Sequence, residues 1–489
     1  MAGMPAPSAP FGDREITGIA IDSRAVARGY LFAALPSATR GASTDGRAFI
    51  PEAVARGAVA VLAPTGTQLD PAIANGIHLV TDDNPRRRLA LFAARFHRPQ
   101  PRNIVAVTGT NGKSSTVGFA RQIWARLGQK AASLGTLGLE APGFPADPSL
   151  TTPDPVALHR MLAELQRSGI EHVALEASSH GLDQYRLDGV VLRAAAFTYI
   201  GRDHLDYHGD EKSYVAAKLR LFRELLPPEG TAVLNADAAH YPQFLEACRA
   251  AGHDVRSYGR SSDDIRIEEI AAASDGIRLV VSLRGRAWET RLPLAGTFQA
   301  WNALAAWALA VSGGADPEAA FAALAHLTGV RGRLQLVARA AAGAPVWVDY
   351  AHTPDALETV LAAVRPHIAR KLIVVFGAGG DRDPGKRPQM GCVVARLADL
   401  AIVTDDNPRR EDPVSIRRHI LVGCPNAEEI GDRREAIARA SGLLGPGDGL
   451  VIAGKGHESG QTVGTEILPF DDAEVARETI RILGGETVA

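Results

Sequence analysis

Short apolar runs alternating with longer amphipathic stretches set the plan of this chain. Between Ile16 and about Pro101, the runs Val59 to Leu62 and His78 to Val80 read as strands. Pro51 to Arg56 and Arg87 to Phe96 carry helical spacing, so this part is a small α/β unit. Asn103 to Thr108 is a compact β-rich run, followed at once by a glycine-rich turn and the helical pattern Thr116 to Leu127. His172 to Leu175, Ala194 to Thr198 and Ala232 to Leu234 are further strands separated by helical stretches, which predicts a mostly parallel, doubly wound sheet. Ile265 to Leu294 interrupts that sheet with alternating β-like segments, and Trp301 to Val311 is an Ala-rich helix. After Arg331-Gly332-Arg333 the pattern restarts: Val346 to Asp349, Leu372 to Phe376, Leu400 to Thr404 and Gly449 to Ala453 alternate with helices as in a Rossmann-like domain. The expected fold class is α/β in three domains. Residues 1–101 form a small N-terminal α/β domain, 102–333 a central P-loop, doubly wound mononucleotide-binding domain, and 334–489 a C-terminal Rossmann-like domain.

Composition removes several function classes. With 53 Lys plus Arg against 55 Asp plus Glu, the formal charge of −2 gives no overall field to attract nucleic acid or an anionic membrane. Any anionic ligand has to be met locally. Cys248, Cys392 and Cys424 form no CxxC pair, so reduced structural thiols are expected rather than a zinc site or disulfides. Met1 to Pro10 lacks the basic start and apolar core of a secretory signal, and no run approaches the ~20 apolar residues of a membrane helix. A cytoplasmic, monomeric protein is expected.

The strongest chemical signal is Thr108-Gly109-Thr110-Asn111-Gly112-Lys113-Ser114-Ser115, between strand and helix. Glycines let successive N–H groups face phosphate oxygens, Lys113 reaches the terminal phosphates, and the Ser114 hydroxyl can ligate Mg²⁺. Val107 stands where the common pattern has its first Gly. Glu176-Ala177-Ser178-Ser179-His180-Gly181-Leu182 directly follows a strand, where a carboxylate can hold Mg²⁺ near that loop. Arg202-Asp203-His204-Leu205-Asp206 also lies beyond a strand. In Tyr214 to Phe222, Lys218 sits on an otherwise apolar face, and the residues alone favour a lysine whose stem is buried and whose head reaches water.

One short repeat stands out: Val80-Thr81-Asp82-Asp83-Asn84-Pro85-Arg86 recurs as Val403-Thr404-Asp405-Asp406-Asn407-Pro408-Arg409. Taken alone, each copy reads as a turn closing a strand and opening a helix.

Over essentially its whole length the chain resembles the Mur ligases, and among them the diaminopimelate-adding members. The resemblance rests on Thr108 to Ser115, Glu176 to Leu182, Arg202 to Asp206, Tyr214 to Phe222, Gly332-Arg333-Leu334, Asp349-Tyr350-Ala351-His352-Thr353-Pro354 and Gly454-Lys455-Gly456-His457-Glu458, in the family's order. It implies an ATP-dependent ligase that adds meso-diaminopimelate to UDP-N-acetylmuramoyl-L-alanyl-D-glutamate through an acyl phosphate, in peptidoglycan precursor synthesis. The N-terminal domain would hold the UDP-muramoyl substrate, and the C-terminal domain the amino acid. The resemblance makes Lys113, Glu176, His204 and Lys218 catalytic, with Lys218 carboxylated by CO₂ to a carbamate that joins Ser114, Glu176 and His204 around Mg²⁺. Gly109 to Ser115, Asn302, Arg333 and Asp349 would meet ATP.

For the nucleotide-sugar dipeptide it implies Ile21, Ser23, Thr151, Thr152, Ser178, Gln184 and Arg186. Two departures fall here: Leu150 stands where relatives commonly carry Asn, and Pro36 to Ala42 is longer than the equivalent loop. For diaminopimelate it implies Arg382, Asp406, Asn407, Pro408, Arg409, Gly454 and Glu458. Diaminopimelate carries a second amino-acid head that lysine lacks. Arg382 and Arg409 can grip its carboxylate and Glu458 its ammonium, whereas lysine would leave buried charges unmet. The earlier copy, Asp83 to Arg86, has no such partner and is expected to be a strand-to-helix turn. Folylpolyglutamate synthase, another Mur ligase and a non-catalytic ATP-binding regulator are the rival readings.

Overall fold

The computed structural model describes residues 15–37, 45–145, 150–201, 203–273, 275–283 and 285–488. Met1 to Pro10, residues 38–42 of the long loop and Arg202 lie outside them. Sheets of four, ten and seven strands succeed one another along the chain, with a two-stranded ribbon near the end.

In the first sheet Gly18–Ala20, Tyr30–Ala33, Ala60–Pro64 and His78–Asp82 run parallel. Helix Pro85–Phe96 starts directly after the last strand, because Asn84 caps Arg87 N and Pro85, lacking an N–H, suits the first helical position. The first copy of the repeat is thus the strand-to-helix turn expected of it.

The central strand of the second sheet, Asn103–Thr108, lies between His172–Glu176 and Leu192–Phe197, all parallel. Their apolar residues are buried on both faces, as a parallel sheet covered by helices requires. One expectation needs correcting here. The segment from Ile265 to Leu294 does not interrupt the sheet: Ile265–Ala273 joins its edge in parallel, and Gly276–Leu283 and Arg286–Leu292 extend it antiparallel. The inward positions Ile267, Ile277, Leu279 and Val281 pack in the same core as Trp307 and the Ala-rich helix Gln299–Ser312, which makes the extension stable.

In the third sheet Leu372–Phe376, Leu400–Val403, Gly449–Ala453 and Pro345–Asp349 are parallel, with Gln335–Arg339 antiparallel at one side. No helix of the described residues is long and apolar enough to cross a membrane. All three cysteines are free; Cys248 and Cys424 are buried, but Cys392 is exposed, so it is not the packed thiol expected.

Candidate active site

The loop from Thr108 to Ser115 joins the central strand to helix Lys113–Arg126. Gly112 caps that helix at φ +86°, and a Cβ there would stand 2.4 Å from Asn302 Oδ1. Asn302, far along the chain, is therefore packed directly on the loop. Thr110 N donates to the Tyr199 carbonyl (2.6 Å), Thr198 Oγ1 donates to the Asn111 carbonyl (2.6 Å), and the Thr110 hydroxyl meets Tyr214 OH (2.9 Å). The loop is held by a neighbouring strand end and a helix, which fixes the direction of its N–H groups. Ser114 and Ser115 are buried in the first turn.

Lys113 Nζ donates to the carbonyls of Gly109 (3.0 Å) and Thr110 (2.9 Å). Lys218 Nζ donates to the same Gly109 carbonyl (2.8 Å). Lys218 is 1% exposed, so it does not reach water as its sequence context suggested. Helix Glu211–Arg220 turns it inward, and its Nζ lies 4.5 Å from the centre of the Tyr214 ring. Burial first, and the Lys113 charge second, push the Lys218 amine well below the ordinary lysine range, while Asp203 opposes the shift. Burial also lowers Lys113, against the charge of Glu176. Two amines donating to one carbonyl oxygen disfavour two ammonium charges there.

Glu176 is buried at its strand end, accepting from Thr136 N (2.9 Å) and the Thr136 hydroxyl (3.2 Å). Gly135 leaves the room: a Cβ there would lie 2.1 Å from Glu176 Oε1. Thr136 belongs to no sequence motif, and only the strand pairing brings it to Glu176. His204 adopts a left-handed backbone (φ 52°) beside His180, with ring centres 4.7 Å apart, and Nε2 lies 3.4 Å from Asp203.

Among the described residues no three His, Cys, Asp or Glu side chains gather where they could share a metal ion. The set Ser114, Glu176, His204 and Lys218 is thus not a ready-made cation site. Ser114 and Glu176 supply hard oxygens that suit Mg²⁺, but an ammonium at Lys218 would repel it. The residues fit Mg²⁺ once Lys218 carries an anionic carbamate.

Thr152 accepts from Ser178 N (3.1 Å), meets the Ser178 hydroxyl (3.0 Å), and offers its carbonyl to Arg186 Nη1 (2.7 Å). Arg186 also donates to Gln184 Oε1, and the Thr151 hydroxyl meets that of Thr136 (3.0 Å). These five expected contacts form one patch leading to Glu176. Ile21 and Ser23 lie apart, just past the first strand of the first sheet; Ile21 is exposed, while Ser23 is buried and donates to Glu52 (2.8 Å). Leu150 is exposed.

The third sheet's strand ends gather the remaining candidates. Arg409, at φ 51°, donates from Nη1 to the Gly380 carbonyl (2.9 Å), and Arg382 donates to the Asp381 carbonyl (3.2 Å). Both arginines flank Gly379, where a Cβ would stand 2.8 Å from Arg409 Nη1. Asn407 donates to Glu458 (2.8 Å), and Lys455, fully buried, donates to Glu458 and Asn407 at 3.2 Å each. Asp406 Oδ1 is buried without a hydrogen-bond partner, and Gly454 lies against Oδ2 of the same carboxylate. Lys455 falls within the motif Gly454 to Glu458, where the sequence alone assigns it no role. Its task becomes visible only when Asn407 and Glu458, from separate loops, meet around it.

At the end of strand Pro345–Asp349, Asp349 accepts from Leu334 N (2.6 Å) and Ala351 N (2.7 Å). Burial raises its carboxyl to about 6, against the Arg333 charge and those two N–H groups. Arg333 lies over the Tyr350 ring, 5.1 Å from its centre.

Three family descriptions match the chain in order: "Mur ligase family, catalytic domain" over residues 15–97, "Mur ligase middle domain" over 107–310, and "Mur ligase, glutamate ligase domain" over 332–456. The chain belongs to the Mur ligase family. Two similar proteins, from Bradyrhizobium diazoefficiens and Caulobacter vibrioides, both bear the name UDP-N-acetylmuramoyl-L-alanyl-D-glutamate–2,6-diaminopimelate ligase. Each is 52% identical to this Mur ligase; the alignments cover 94% of both chains for the first and 97% of both for the second. A solved structure of that name matches with a TM-score of 0.74 and 34% identity, over 98% of this ligase and 97% of the other chain.

Proposed function

We infer that this ligase joins meso-diaminopimelate to UDP-N-acetylmuramoyl-L-alanyl-D-glutamate, driven by ATP, in cytoplasmic peptidoglycan precursor synthesis. The observation that carries the acceptor assignment is the pairing of Arg382 and Arg409 around Gly379 with Glu458 beyond them, a carboxylate receptor beside an ammonium acceptor. Lysine lacks the distal carboxylate and would leave the two guanidiniums without a counter-charge.

A carboxylate oxygen of the dipeptide attacks the γ-phosphorus of ATP; the bond to the β-bridging oxygen breaks, leaving ADP and an acyl phosphate. The amine of diaminopimelate then attacks the acyl carbon, phosphate departs, and the amine's proton is released as the amide forms. The N–H groups from Gly109 to Ser115 and the Lys113 ammonium face the phosphates, while Asn302, Arg333 and Asp349 border the nucleotide. Mg²⁺, held by Ser114, Glu176, His204 and carboxylated Lys218, would offset charge on the phosphate oxygens. Burial and the Lys113 charge disfavour the Lys218 ammonium, which suits carboxylation: once the amine has lost a proton, its nitrogen bonds the carbon of CO₂ and releases a second proton, leaving an anionic carbamate. Ile21, Ser23, Thr151, Thr152, Ser178, Gln184 and Arg186 are assigned to the nucleotide-sugar dipeptide, and the boundaries at 101 and 333 separate three units that surround the site. Enclosure protects the acyl phosphate from water.

The test is a product assay with UDP-muramoyl dipeptide, ATP and either meso-diaminopimelate or L-lysine. Tripeptide product is expected with diaminopimelate, and preference for lysine would overturn the assignment. In the same assay, Arg409→Ala should raise the KM for diaminopimelate far more than that for ATP.

A further inference from the structure

The reading above leaves the first copy of the repeat unused, yet Arg86 within it has an unusual setting. Its neighbour Arg87 reaches across to Asp188 (Nε–Oδ1 3.1 Å), and helix Pro85–Phe96 packs on helix Pro155–Arg167, so this helix start is docked on the central unit. Arg86 is partly buried and donates from Nη2 to the carbonyl of Pro36. Among the described residues no carboxylate lies within ion-pair distance of it.

Tyr207, Asp183 and Arg186 are the charged and ionisable groups that act on it from the central unit. These groups are already engaged with one another: Tyr207 donates to Asp183 (2.8 Å) and accepts from Gln184 (3.0 Å), and Gln184 accepts from Arg186 (2.6 Å). Arg186 likewise has no ion-pair partner among the described residues. Burial lowers both guanidiniums; at Arg186 the Asp154 charge opposes this and the Arg86 charge adds to it. Two part-buried guanidiniums from different parts of the chain, each near a carboxylate (Asp183 and Asp154) but in ion-pair contact with none among the described residues, describe a receptor for an anion.

We infer that Arg86 is a substrate-binding residue which, with Arg186, grips an anionic oxygen of the nucleotide-sugar dipeptide, on either its free carboxylate or its pyrophosphate. This rests on the function proposed above. It also makes the two copies of the repeat comparable in use, since each presents an arginine to an anionic substrate group.

The test measures KM separately for UDP-muramoyl dipeptide, ATP and diaminopimelate in the wild type and in Arg86→Ala, Arg86→Lys and Arg87→Ala. Arg86→Ala is expected to raise the dipeptide KM roughly tenfold or more, the loss of a charge-assisted hydrogen bond, with the other two within about twofold. Arg86→Lys should recover part of the loss, and Arg87→Ala should lower the melting temperature without the selective KM change. A substrate whose free glutamyl α-carboxylate is amidated separates the two sources. If Arg86 meets that carboxylate, amidation raises KM in the wild type and not in Arg86→Ala; if it meets the pyrophosphate, amidation affects both enzymes equally. An unchanged dipeptide KM in Arg86→Ala, an equal rise for all three substrates, or the same selective rise in Arg87→Ala would overturn the inference. Should Arg86→Ala not fold, Arg86→Gln and Arg86→Lys serve the same comparison. A wild type that makes no tripeptide would instead refute the proposed function.

Discussion

Lys218 and Lys113 direct their Nζ atoms at one oxygen, the Gly109 carbonyl, within a region from which water is largely excluded. That arrangement is unfavourable for two ammonium ions and favourable for an amine that gives up its proton and takes CO₂. Labelling with ¹³C-bicarbonate should therefore give a carbamate carbon resonance that disappears in Lys218→Arg. Full activity of Lys218→Arg would refute the carbamate. Asp349 offers a second residue-scale test. Burial raises its folded carboxyl to about 6, above the ordinary aspartate value of 3.8, so the folded state holds a proton longer than the unfolded chain. The stability from this group is present at low pH and is lost as pH rises from ~4 to ~6. Asp349→Asn cannot ionise, so denaturant titrations at pH ~4 and ~7.5 should show the variant gaining on the wild type as pH rises.

At the scale of elements, the two copies of Asp-Asp-Asn-Pro-Arg diverge although their sequences agree. In the first, Asn84 spends its side chain on capping, and the helix begins at Pro85. In the second, Asn407 is drawn away by Glu458, Lys455 and Thr462, the Arg409 backbone is left-handed, and the helix waits until Pro413. The ribbon of Gly460–Val463 and Glu466–Pro469 supplies Thr462 and holds Arg409 on both sides: Arg409 N donates to the Thr462 carbonyl, and the Arg409 carbonyl accepts from Gly464 N in the turn. Arg433 braces the same region. It is fully buried against Asp472 (2.7 Å) and donates to the Ala453 carbonyl (3.0 Å) at the end of a central strand. Arg433→Ala would leave Asp472 buried and unpaired, and denaturant unfolding should register a loss of about 3–5 kcal/mol. A change below 1 kcal/mol would mean that water reaches the carboxylate.

Across the whole molecule, the second and third sheets meet through a few specific contacts. His367 accepts from Gly296 N at Nε2 (3.1 Å) and offers Nδ1–H to the Ala273 carbonyl, a pairing open only to the neutral ring. Burial lowers His367 from 6.5, so its contribution is fully present above that value and is lost as pH falls below it. Small-angle scattering should then show a looser molecule near pH 5 than at pH 7.5, and His367→Leu should be loose at both; identical profiles throughout would exclude a latch at this contact.

Local order was legible from the chain alone. Strands such as Asn103–Thr108 and Leu372–Phe376 follow from compact apolar runs, and the glycine, lysine and serine spacing at 109–115 specifies a phosphate loop, because each signal lies within a few consecutive residues. The assignment of Arg382, Arg409 and Glu458 to one ligand rests on the family resemblance rather than on any local signal. Burial and charge balance were decided by tertiary structure. Lys218 looked like a solvent-reaching lysine until Gly109, 109 positions away, met its amine; Thr136 had no visible role until strand pairing set it against Glu176; and Arg86 belonged to a turn until docking put it beside Arg186. Desolvation and electrostatic coupling depend on which distant groups share a low-dielectric space, and that neighbourhood exists only once the sheets have assembled.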